Sequence, residues 1–213
     1  GGSVVVAAGR YGITVDQFSG WLALKPLEEG LHEMLASYGI EVEDALVLDP
    51  QNERFPVQVT RQVGDFQVQE IQAIDYPFFV DIRADGMASD SPIVASIPAV
   101  TLNWPSPIKI DEGKNAEREV TTLLQSSSAS WTQTDTDIQP DPSLPNSGFP
   151  VGENQESHTL AVAVQGVFES YFKDKPSPFA EAPEEQETVQ ETMEENKTQP
   201  PIPGTIEVSP ATT

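Results

Sequence analysis

The order of segments between Val4 and Leu48 restricts the fold more than any other feature of the sequence. Residues 4–8 (VVVAA) form a short apolar run closed by Gly9, which suits a strand buried on both faces of a sheet. Residues 9–25 hold Gly9, Gly12 and Gly20 together with Tyr11, Phe18 and Trp21. They lie where a loop would leave the carboxyl end of that strand, the usual place for a ligand crevice. The next stretch, KPLEEGLHEMLASYG, reads as a helix. Pro26 fits its first turn, Glu28 and Glu29 favour the positive end of the helix dipole, and Gly39 offers a left-handed cap. Leu27, Leu31, Met34, Leu35 and Tyr38 recur at helical spacing and give one apolar face. Residues 45–48 supply a second strand, stopped by Asp49-Pro50. Strand, loop, helix and strand in succession predict an α/β fold, an open and largely parallel sheet flanked by helices.

The pattern then changes. FPVQVTRQVGDFQVQEIQ alternates apolar and polar residues on either side of Gly64-Asp65, which predicts an antiparallel hairpin added to the sheet. YPFFVDIR, IPAVTLNWPSPIKI and REVTTLLQS read as further strands, and the prolines in the first two suggest edges or irregular pairing. No fixed-period repeat occurs. Residues 132–157 are polar and rich in Pro, Asp, Asn and Ser, so a flexible insertion is expected there. Residues 158–167 return to strand character. From Asp174 onward nine acids stand against Lys175 and Lys197, about −7 in all, a composition that cannot bury enough surface to fold. The expected organisation is therefore an α/β domain over 1–173 and a disordered acidic linker over 174–213.

Thirty-four acids against eleven bases give a formal charge of −23, which argues against nucleic acid or an anionic membrane surface as a partner. The absence of Cys rules out disulfides and thiolate metal sites. No run approaches about 18 apolar residues, so nothing in the sequence reads as a membrane-spanning helix. The opening Gly1-Gly2-Ser3-Val4 resembles a strand already in progress, and the expectation is a fragment of a longer protein.

Chemistry-bearing motifs are sparse. His32, on the helix, and His158, at a strand start, have no companions at metal-ligand spacing, and His32 reads as a surface or boundary residue. Asp135, Asp137 and Asp141 begin like a calcium loop, but Pro140 and Asn146 stand where the EF-hand pattern needs Gly and Glu. Asp81, Asp85 and Asp90 match it no better. No G-x-S-x-G elbow, S-x-x-K pattern, G-x-G-x-x-G fingerprint or P-loop occurs. A non-catalytic domain is expected, without metal or cofactor. The ligand-binding candidates are Tyr11, Phe18 and Trp21, whose rings could stack on a saccharide or grip a partner, or could instead line the core.

Several segments together resemble one family. LHEMLASYGIEVEDALVLDPQN is similar to a helix, YG turn and Asp-Pro-terminated strand in the extracytoplasmic region of gliding-motility-type (GldG-like) ABC transporter auxiliary proteins. SPIVASIPAVTLNWPSPI resembles a stretch of that family that opens on His-Pro-Ile. Here Ser91 replaces the His, which removes any role for it. LLQSSSASW and LAVAVQGVFESYFKDKPSP resemble two later segments, and the likeness covers roughly residues 1–178. The resemblance implies an α/β domain on the extracytoplasmic side of the cell membrane, partnered by a separate permease and ATPase and anchored by helices outside these residues. It implies no catalytic residues. A related domain occurs in eukaryotic intraflagellar-transport proteins, where sugar binding is the implied role. The alternative expectation is a carbohydrate-binding module built on the aromatic loop 11–21.

Overall fold

The computed structural model describes residues 2–17, 22–27, 30–141, 144, 148–175 and 208–209. The chain divides into two compact units, Val4–Gln165 and a second made of Gly1–Ser3 with Gly166–Thr213. In the larger unit β1 (Tyr11–Val15) and β2 (Leu22–Pro26) pair as a hairpin, and helix α1 (Gly30–Ser37) follows. Two short strands come next, β3 (Ile40–Val42) and β4 (Leu46–Leu48). The alternating segment then forms β5 (Asn52–Val63) and β6 (Phe66–Ile82), the longest strands described. A 3₁₀ turn at Ala84–Gly86 precedes β7 (Val100–Asn103), β8 (Ile108–Ile110), β9 (Glu119–Gln125), β10 (Trp131–Gln133) and β11 (Thr159–Gln165).

This architecture corrects the α/β expectation. Every ladder among the described residues is antiparallel: β1 with β2, β3 with β8, β4 with β10, β9 with β11, and β5–β6–β7 in a three-stranded sheet. α1 is the one α-helix among them, and its eight residues lead from β2 into β3 rather than crossing between parallel neighbours. A parallel crossover needs a dozen or more residues. The run 4–8 does not form a buried strand either, for Val4 is 86% and Val5 97% exposed. Residues 22–26, where the sequence predicts a loop and helix start, are instead the second strand of the first hairpin. A short apolar run signals burial or extension but not the direction of its partner, and here the partners lie far along the chain.

Much of the local reading agrees with the structure. Val63 faces Phe66 across a two-residue Gly64-Asp65 turn, and Gly64 has φ +63, a left-handed backbone that glycine adopts without Cβ strain. Gly39, φ +78, ends α1 as a left-handed cap. Its neighbouring carbonyls are taken up from the turn before β9. Asn115 Nδ2 donates to Tyr38 O and Gly39 O, Arg118 to Tyr38 O, and Lys114 Nζ to Ala36 O.

Two apolar clusters meet at β4. Leu46 and Leu48 pack with Leu24, Tyr76, Phe78, Trp131, Ile138 and Phe149. Val47, pointing the other way, packs with Val80, Ile82, Val94, Leu123, Leu124 and Leu160. Successive strand side chains alternate between faces, so a strand with core on both sides reads as an unbroken apolar run, as LVL does. Within the polar stretch 132–157, Ile138 and Phe149 reach this core and are nearly fully buried. Asp49, 1% exposed, holds β4 to its surroundings: its carboxylate accepts from Gln51 N, Ser127 N and Ser127 Oγ at 2.7–2.8 Å. In the smaller unit β12 (Phe168–Glu169) pairs with β13 (Val208–Ser209). The rest of the expected acidic linker, beyond residue 175, lies outside the described residues.

Candidate functional site

The base of the first hairpin is closed by a hydrogen bond from Leu27 N to Arg10 O, 2.8 Å, which turns the chain from β2 toward α1. This brings Arg10 and Tyr11 beside the first turn of the helix. The bend after β3 supplies Asp44, and the chain beyond β10 supplies Thr134 and Thr136. Together with His32 these residues line an open cavity of about 780 Å³, a size that suits a small ligand or a few side chains of a partner.

The polar groups around it are incompletely used. Arg10 Nε lies 2.8 Å from Asp44 Oδ1, an ionic contact, yet its N–H is not aligned on an acceptor. Among the described residues, neither buried ring nitrogen of His32 has a hydrogen-bond partner. A buried polar atom that gives up water without a replacement bond carries a desolvation cost. A ligand with its own donors and acceptors would recover that cost. The Tyr11 phenol pKa is raised, first by burial and then by the Asp44 charge, against an opposing effect of Arg10.

Of the three residues expected from sequence, Tyr11 lines the cavity, whereas Phe18 and Trp21 lie outside the described residues. Arg10, Asp44, His32, Thr134 and Thr136 were not expected. Their positions lie as much as 126 residues apart, Arg10 to Thr136, and no local spacing announces such a grouping.

The family described as an ABC-type uncharacterized transport system matches this sequence over residues 1–200. The chain belongs to that family. An uncharacterized protein of Borreliella burgdorferi is 24% identical over 157 residues, covering 72% of this chain. The chain spans 28% of the length of that relative. No solved structure matches.

A second polar cluster of this ABC-transport auxiliary protein serves its framework. Ser126 and Ser130 share a buried hydroxyl contact of 2.6 Å, Ser130 Oγ donates to Glu156 O, and Ser157 Oγ donates to Ser126 O. His158 N donates to Ser126 Oγ. These bonds lace β9 to the start of β11 and leave Ser127 on Asp49, not on an imidazole. Burial lowers the His158 pKa. Asp135 and Asp137 accept from backbone N–H groups two residues on, which makes them turn formers. No helix among the described residues is long and apolar enough to cross a membrane.

Proposed function

We propose that this domain is a non-catalytic accessory component of a gliding-motility-type ABC transport system, acting on the extracytoplasmic side of the cell membrane. The match over residues 1–200 carries the transport reading. A permease and an ATPase are the partners, because the sequence holds no P-loop to supply energy and no apolar span to form a pore. Attachment to the membrane is through helices outside these residues. The domain works by binding, and the cavity between Arg10, Tyr11, His32 and Asp44 is where it holds a ligand or a projecting partner segment. Affinity purification of the full-length protein from its native membrane is expected to bring down a permease and an ABC ATPase. Recovery without either subunit, under conditions that keep other transporters intact, overturns the transport reading.

A second reading, saccharide binding, rests on the chemistry of the cavity wall. An aromatic ring, a guanidinium, an imidazole, a carboxylate and hydroxyl side chains in one concave site offer stacking and many hydrogen bonds to a polyol. Calorimetric titration with mono- and oligosaccharides distinguishes the two. Saturable binding abolished by both Tyr11→Ala and His32→Ala favours the saccharide, and an absence of heat across the set removes it.

A further inference from the structure

The β5–β6 hairpin extends well past the rest of its sheet. β7 covers β6 only at Phe79–Ile82, so among the described residues the two strands pair only with each other from residue 56 to residue 73. Eight residues of β5, 56–63, make an arm of roughly 27 Å at about 3.4 Å per residue. Val63, Phe66, Val68 and Ile71 on it are 46–78% exposed. A two-stranded ribbon alone in water is marginally stable, so an arm of this length calls for a cover.

Among the described residues the outer edge of β5 is unpaired, because the strand has β6 on one side and no strand on the other. Natural edge strands are usually guarded by charge. Here, in a chain of −23, residues 55–74 carry only Arg61, Asp65 and Glu70, which sum to −1. Arg61 and Glu70 lie diagonally on one face of the ribbon, since Arg61 faces Val68 and Glu70 faces Val59. The arm can thus meet a second copy without strong repulsion.

Its sequence is also self-complementary. A two-residue turn makes Val63 and Phe66 a hydrogen-bonded pair. Alternation then turns the backbone N–H and C=O groups of Gln58, Thr60 and Gln62 outward, to the free edge. Pro56 shares that parity and has no N–H to lose. Antiparallel pairing of β5 with β5 of a second copy about a two-fold axis at Thr60 sets Thr60 against Thr60, Gln58 against Gln62 and Val57 against Val63. Threonine pairs, amide pairs and apolar pairs are all favourable cross-strand neighbours, and the arrangement is isologous. We propose that this chain forms a two-fold homodimer through the free edge of β5, giving a four-stranded sheet β6–β5–β5–β6.

Sedimentation equilibrium of the whole chain over a concentration series tests this. The expected mass at the upper end is twice 23.1 kDa. Thr60→Lys, which sets two ammonium groups face to face, should weaken the dimer at least about tenfold while leaving the circular dichroism unchanged. Gln67→Lys, on β6 and away from the shared edge, should leave the dimer intact. The chain has no Cys, so Thr60→Cys adds a single thiol. Its Cα would lie about 5.5 Å from its counterpart, within disulfide range, and mild oxidation should link two chains. Gln67→Cys should not link. A mass of 23.1 kDa at every concentration, open-ended growth into larger species, a dimer indifferent to Thr60→Lys, or equal cross-linking at residues 60 and 67 overturns the proposal.

Discussion

Tyr76 shows how much one side chain can organise. Its ring lies 4.9–6.2 Å from those of Phe55, Phe78, Phe79, Trp104 and Phe149, mostly at tilted or edge-on angles. Such geometry sets the positive rim of one ring against the negative face of the next. The hydroxyl donates to Ile138 O at 3.0 Å and accepts from Trp104 Nε1 at 3.3 Å, so it ties the stretch after β10 to the ring cluster. Trp104 itself sits at φ +51, an unusual backbone for a bulky residue, held there in part by Trp104 N donating to Phe78 O. Burial is the main reason that the Tyr76 pKa is raised to about 12 from 10.0. The unfolded chain therefore releases this proton at lower pH than the folded one. Stability from Tyr76 is complete below pH 10 and declines as pH rises from 10.0 toward about 12. Tyr76→Phe should flatten that decline and lower stability at neutral pH by about 1–3 kcal/mol, because Ile138 O and Trp104 Nε1 lose their partner. Urea midpoints at several pH values compare the two proteins, and parallel alkaline slopes would contradict the assignment.

At the scale of elements, two glycines in the same left-handed conformation should answer mutation differently. A Cβ at Gly39 would come within 2.5 Å of Asn115 Nδ2 and 2.8 Å of Lys114 Cβ, in the knot of side chains that caps α1. At Gly64 a Cβ meets nothing within 4 Å. Both alanines cost about 1–2 kcal/mol of backbone energy, and only Gly39→Ala adds a clash and disturbs buried hydrogen bonds. Gly39→Ala should lower the global unfolding midpoint clearly. Gly64→Ala should act mainly by speeding hydrogen exchange in residues 57–72, since an exposed arm opens locally. Comparable global losses in the two variants would contradict this contrast.

The same elements explain what could be read in the sequence. The β5–β6 hairpin was legible because period-two alternation and a Gly-Asp turn are local signals, and the Gly39 cap likewise. The sheet order was not. β4 pairs with β10, and β3 with β8, through ladders of three residues, too short to leave a periodic trace. VVVAA and LVL look alike as apolar runs, yet the first is exposed and the second fully buried. Tyr11 could be picked out as a loop aromatic, while Arg10, Asp44 and His32 acquire meaning only when the chain folds them together.

For the whole molecule, charge is the dominant long-range term. Eleven bases serve thirty-four acids, and several of those bases are already paired: Arg10 with Asp44, Arg54 with Asp75, Arg83 with Asp81 and Glu53, and Lys109 with Glu43. The remaining carboxylates repel one another, which opposes compaction. Raising ionic strength from about 0.01 to about 0.1 M shortens the screening length from roughly 30 to roughly 10 Å. The melting temperature should therefore rise with sodium chloride, since screening relieves more repulsion than it removes from exposed ion pairs. A melting temperature that falls steadily over this range would mean that the ion pairs outweigh the net charge.

The three residues of β4 also set a timetable for synthesis. Leu46 and Leu48 are made early, but their cover includes Trp131, Ile138 and Phe149, and Val47 waits for Leu160. At about 5–20 residues per second, the ribosome needs roughly 5–20 s to go from residue 48 to residue 149. Hydrophobic collapse takes microseconds. Through that interval the strand has only the part of its cover already made, Leu24, Tyr76 and Phe78 on one face and Val80, Ile82 and Val94 on the other, and its burial is completed only as residues 123–160 emerge.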